Sequence, residues 1–126
     1  MPLTRISMRK GKSQAYKRAI LDNIYLAMRE VFDVAEEARF MLIHEHDAED
    51  FLYGATYRQI ARSDDLLIIQ IFANNTRTVE QKKALYRLIA DRLAESPGVR
   101  PEDVFINLVD IPVENWSVGH GLAQYI

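Results

Sequence analysis

An α+β domain of two tandem β-α-β units, giving a four-stranded sheet with two helices on one face, is the fold class that three features of this sequence predict. Helical stretches with one apolar face stand at 14–32 and 79–95, strand-like apolar runs flank them, and an offset of 65 residues lays the second half on the first. That offset places Ser13 on Thr78, Lys17 on Lys82, Ala19 on Ala84, Ile24 on Ile89, Met28 on Leu93 and Phe40 on Phe105. Helix caps, helix faces and strands come into register together. The economical account is one duplicated unit, about 1–62 and 66–126, inside a single domain of 126 residues, a length close to the commonest domain size.

Each element has its own signal. Residues 2–8 carry Leu3 and Ile6 among polar neighbours, which suits a short strand. Gly11 marks a turn, and Ser13 then caps a helix, because its hydroxyl accepts from an amide of the first turn. From Gln14 to Phe32, Tyr16, Ile20, Ile24, Met28 and Val31 recur at the spacing of one helical face. A linker at 33–38 leads into Arg39–His46, an apolar run turning polar that reads as a strand. Residues 47–50 read as a loop, and the alternation over 53–60 predicts a short extra strand. Leu66–Phe72 is the most apolar stretch of the chain and predicts a buried strand. After a polar turn at 74–77, Thr78 and Gln81 have the spacing of a capping box; Leu85, Ile89 and Leu93 carry the second helix, and Pro97-Gly98 ends it. Phe105–Ile111 predicts the last strand, and Trp116–Ile126, with Gly119 and Gly121, a turn or hairpin arm.

The bulk numbers exclude several functions. A net charge of −2 leaves no cationic footprint for nucleic acid or anionic lipid. The absence of cysteine removes disulfides and thiolate metal sites. No apolar run approaches the roughly 18 residues of a membrane span, and the start lacks the apolar core of a signal peptide, so no membrane partner and a cytoplasmic location are expected. No serine or cysteine triad or glycine-rich phosphate loop is visible, which argues against acyl transfer and nucleotide use. Two helices cover one face of the sheet only. With the strands apolar on both sides in places, a second subunit is expected on the other face.

The residue type that points to chemistry is Pro2. If Met1 is removed, Pro2 becomes a secondary amine at the end of a strand, and an amine with a pKa near neutrality is a general base without any partner. An ordinary α-amino group titrates at about 7.7–8.0, and an apolar pocket lowers the pKa of a cationic acid further. With Met1 in place, Pro2 is an amide and has no such lone pair.

Three stretches, Met1-Pro2-Leu3, Arg77–Lys82 and Asn115–Gly121 with its Trp-Ser-Val-Gly-His-Gly, make the chain resemble the tautomerase superfamily, in particular its malonate semialdehyde decarboxylase-like members. The resemblance covers essentially the whole chain. It implies Pro2 as the catalytic acid/base, no cofactor, and a homotrimer whose sheets face inward. It also implies a small carboxylate substrate held by Arg77, whose planar fork meets both carboxylate oxygens. The chain departs from the decarboxylase pattern at two positions: Asn75 stands where those enzymes carry a second arginine, and Ala38 where they carry an aspartate. What survives suits enol chemistry, with Asn75 donating a hydrogen bond to the developing enolate oxygen. The expected activity is a keto-enol isomerisation of 2-keto acids. Decarboxylation or hydration of a small 3-oxo acid, and a non-catalytic trimeric binding protein, are the alternatives.

The lone tryptophan, Trp116, is a candidate wall of the substrate pocket that lowers its dielectric. His44 and His46 share one strand face, but a metal site needs a third ligand and none is identifiable, so no metal is expected. His120, between two glycines, reads as a turn residue.

Overall fold

The computed structural model describes residues 1–126. Its main elements are β1 (Pro2–Arg9), α1 (Gln14–Phe32), β2 (Phe40–His46), β3 (Leu67–Asn74), α2 (Val79–Glu95) and β4 (Val104–Ile111). The strands form one sheet in the order β2-β1-β3-β4. β1 pairs with β2, and β3 with β4, in parallel, while β1 and β3 run antiparallel at the centre. Each parallel pair is bridged by its own helix, as parallel strands require a crossover.

Alternation along the strands divides the sheet into two faces. Ile6 and Met8 of β1 and Leu67, Ile69, Ile71 and Ala73 of β3 are buried under the helices, against Ile20, Ile24, Met28, Leu85, Ile89 and Leu93. The edge strands add Met41, Ile43, Ile106 and Leu108 to this core. Both helices therefore lie on one face, and their other sides are polar. The ion pairs Lys17–Glu45 and Lys82–Asp110, each at 2.9 Å, fasten the helices to the edge strands at positions 65 residues apart. Ser13 Oγ accepts from Tyr16 N–H, and Thr78 and Gln81 form the reciprocal capping box. The opposite sheet face is uncovered within one chain: Phe40, Leu42 and Phe105 are 51%, 50% and 44% exposed.

One expectation needs correction. Residues 53–60 do not form a strand; the segment turns at Tyr57–Gln59, with Arg58 and Gln59 at φ of 59° and 58°. Arg62 holds that turn by donating from Nη1 to the carbonyls of Gly54 and Tyr57 at 3.0 and 2.9 Å, so the backbone groups an extra strand would have paired are taken up locally. The tail, for which a turn or hairpin arm is expected, takes the first of these forms. It is a succession of turns in which Gln124 accepts from Val118 N–H and donates to the Gly119 carbonyl. No helix is long and apolar enough to cross a membrane.

Candidate active site

β1 places Pro2 as its first residue, buried and paired with Ala73 of β3. Met1 precedes it and emerges into an apolar cleft of ≈ 230 Å³ lined by Met1, Leu3, Phe40, Trp116, Ser117 and Val118. The local reason is the period of the strand. Leu3 points away from the helices and is paired in register with Phe40 of β2 and Phe72 of β3, so an apolar row crosses the sheet just behind the amino terminus. The chain after β4 returns across this end of the sheet and lays Trp116 over that row.

Arg77 stands in the turn between β3 and α2. Its Nη2 donates to the Phe32 carbonyl at 3.1 Å and its guanidinium lies 4.8 Å from the centre of the Phe32 ring. The last carbonyls of a helix carry partial negative charge and welcome a cation. The end of α1 thus fixes the fork, and a guanidinium with five donors retains capacity after these contacts. Burial pushes the Arg77 pKa down, with Tyr125 of the tail acting in the opposite sense. The amino terminus is itself held below its ordinary value, first by burial and then by the positive field of Arg77. The amine therefore feels the field of Arg77.

Of the residues singled out in the sequence, Pro2, Arg77 and Trp116 converge on the start of the chain. Asn75 is exposed, with its backbone N–H on the Ile111 carbonyl at 3.2 Å, and it does not line the cleft. His44 accepts from Arg5 Nε at 3.3 Å on the open sheet face, His46 lies 5.9 Å from the ring of Phe51, and His120 is an exposed turn residue at φ 57°. Sequence reasoning missed Leu3, Phe40 and Asn74. The first two were findable, because alternation puts Leu3 on the face opposite Ile6 and the parallel register brings Phe40 beside it. Asn74 Oδ1 is buried without a partner, and nothing in the sequence distinguishes it from its neighbour Asn75.

A second cleft, of ≈ 280 Å³, lies against Leu66, Ile68 and Phe105, with Leu52 and Tyr53 over them. These residues stand 65 positions from Met1, Leu3, Phe40, Ser117 and Val118. The offset also sets Lys12 on Arg77, and Lys12 is neutralised by Asp65 at 2.8 Å. Where the first cleft has a chain end, the second has the continuous peptide at Leu66-Leu67.

Family models described as tautomerase enzyme match residues 38–119 and residues 2–58, the latter beginning at Pro2. The probable tautomerase YusQ of Bacillus subtilis (strain 168) is 40% identical over 126 residues, covering 100% of this chain and 99% of YusQ. Among solved structures, FG41 malonate semialdehyde decarboxylase inhibited by 3-bromopropiolate superposes with a TM-score of 0.91 at 33% identity, covering 98% of this chain and 93% of that one. A symmetric trimer of wild-type fused 4-OT shares the fold with a TM-score of 0.81 at 23% identity, covering 98% of this chain and 97% of that one. With one family model spanning more than half of its residues and a relative 40% identical from end to end, this chain belongs to the tautomerase enzyme family.

Proposed function

We propose that the chain is a cofactor-independent tautomerase that interconverts 2-keto acids and their enols, with Pro2 as the acid/base residue once Met1 has been removed. The observation that carries this reading is the position of the amino terminus, which opens into a cleft walled by Trp116 and lies in the field of Arg77. Loss of Met1 transfers the terminal amine to Pro2, a buried residue of β1, and burial favours the neutral form of an amine.

In the enolising direction the lone pair of Pro2 takes a proton from C3 of the acid. The C–H electrons become the C2=C3 bond, and the carbonyl electrons move to oxygen, which acquires a proton from solvent. Ketonisation reverses each transfer, the Pro2 ammonium delivering its proton to C3 while the enol hydroxyl loses its own to water. Arg77 holds the substrate carboxylate, while Asn75, exposed at the same turn, does not line the cleft and takes no part in this step. The duplicated architecture gives each chain one such amine, and we place three chains in a homotrimer, as in the fused 4-OT trimer, with the open sheet faces inward.

The test compares the intact chain with Pro2→Ala on the ketonisation of the enol of phenylpyruvate, with intact mass establishing that Met1 is absent from both. A rate loss of about 100-fold or more is expected, the scale of a positioned acid/base group. Equal rates would point to a binding protein that keeps the fold without the chemistry. A second reading, decarboxylation of a small 3-oxo acid, is favoured by the similarity to FG41 malonate semialdehyde decarboxylase. Carbon dioxide release from malonate semialdehyde separates the two. Ala38, partly buried against the core, supplies no carboxylate to that chemistry, and Glu36 and Glu37 beside it are exposed.

A further inference from the structure

Arg62 is a cation without an anion. Its Nη1 donates to the carbonyls of Gly54, Tyr57 and Ile60 at 3.0, 2.9 and 3.4 Å, and its backbone N–H to the Ala55 carbonyl at 2.9 Å. These contacts fix one end of a half-buried guanidinium. Nε and Nη2 have no partner within the chain, although a guanidinium carries five donors. The two carboxylates nearest in sequence are engaged elsewhere. Asp64 accepts from the Tyr53 hydroxyl at 2.7 Å and pairs with Arg9 at 3.1 Å, and Asp65 pairs with Lys12 at 2.8 Å. What Arg62 has left is the Nε–Nη2 edge of its fork, an edge that takes a carboxylate through two parallel hydrogen bonds.

Arg62 is also the only charged residue lining the second cleft, where it stands among Leu52, Tyr57, Leu66, Ile68 and Phe105. Leu52 and Phe105 are 85% and 44% exposed, so an apolar surface lies open beside the free edge of the cation. The ≈ 280 Å³ of this cleft falls just under the roughly 300–1,000 Å³ of small-molecule sites, which suits a ligand of one ring or a short chain. We propose that the second cleft is a ligand site of its own, for an apolar monocarboxylate. The carboxylate accepts from Nε and Nη2 of Arg62, and the hydrocarbon body lies on Ile68, Phe105 and Leu52. One cation in an apolar wall selects a single negative charge; a phosphate monoester or a dicarboxylate would bring a second charge with nothing to meet it. The two clefts share no lining residue. With the continuous peptide Leu66-Leu67 in place of a terminal amine, the second binds an acid and leaves it unchanged.

The probes are 3-phenylpropanoate and its uncharged amide, titrated calorimetrically into the full chain carrying Arg77→Ala, so that the cation proposed for the other cleft is absent. One acid per chain is expected to bind, and the amide to bind at least about tenfold more weakly, the lower end for a hydrogen bond to a charged group. Two spectroscopic signals locate it. The methyl resonances of Ile68 shift with the acid, while the emission of Trp116, the only tryptophan and a wall of the first cleft, stays constant. Adding Arg62→Gln is expected to weaken the acid by the same factor and to leave the amide unaffected. Should that variant not fold, because Nη1 holds the 54–60 turn, the acid–amide difference and the Ile68 shift decide the matter in the chain that retains Arg62. Equal affinity for acid and amide, acid binding that survives Arg62→Gln, or an Ile68 signal that does not move overturns the proposal. The last is also the result if a neighbouring chain fills the cleft.

Discussion

Arg77 has a structural contact of its own beside the carboxylate-binding role proposed for it. Its contact with the Phe32 carbonyl ties the β3–α2 turn to the end of α1, and in the role proposed for it a fork already held still would lower the ordering cost of binding an acid. Arg77→Ala is expected to raise KM about 10- to 100-fold, the range of a hydrogen bond to a charged group, and steady-state kinetics on phenylpyruvate check it. The sign of the pH effect follows from the two causes acting at the amino terminus, burial first and Arg77 second. Both disfavour the ammonium form, so the free base prevails at a lower pH than for an ordinary α-amino group. The enolisation kcat/KM therefore rises with pH through an apparent pKa below the usual 7.7–8.0, and in Arg77→Ala this limb moves to higher pH, with burial alone remaining. A limb that stays in place in the variant would show that the guanidinium does not act on the amine.

At the scale of elements, the helices were legible because each helix signal is local. A capping hydroxyl and an apolar face fall within one segment in each, with a terminating Pro-Gly after α2, and the observed bounds of α1 and α2 coincide with them. Segment 53–60 misled for a physical reason: its alternation has the period of a strand, but the positive φ of Arg58 and Gln59 breaks the extended backbone that a strand needs. The left-handed residues Arg58 and Gln59 and the contacts of Arg62 were decided by tertiary context. Thr78→Ala is expected to cost about 1 kcal/mol of stability, with Ser13→Ala at the lower end of the 0.5–2 kcal/mol range because it lacks the reciprocal glutamine. Chemical denaturation orders the two. Asp103, 1% exposed, accepts from Ser63 N–H and Ser63 Oγ at 2.7 and 2.6 Å and so fastens the segment entering β3 to the turn before β4. Asp103→Ala strands those donors and is expected to cost about 1–3 kcal/mol, read as a lowered denaturation midpoint with an unchanged slope.

For the whole molecule, the uncovered sheet face is the feature that one chain cannot account for. Phe40, Leu42 and Phe105, each close to half exposed, spread across β2 and β4 on that face, and apolar surface presented this way marks an interface. A particle of three times 14.6 kDa is the expected outcome of sedimentation equilibrium, and Leu42→Lys, which sets like charges on the contact, is expected to shift it toward the monomer. Much of this was in the sequence, since the offset of 65 reproduces strand starts, helix caps and helix-to-strand ion pairs alike. The register that pairs Pro2 with Ala73 was not, because strand pairing is set between segments that lie far apart in the chain. The two clefts carry one further consequence. They repeat in shape, yet a linear polymer has a single beginning, so the number of amines per protomer is set by connectivity and not by packing. Joining the present ends and reopening the backbone ahead of Leu67, with Leu67→Pro, would move that beginning to the other cleft. There Lys12, already engaged by Asp65, is the cation it would find.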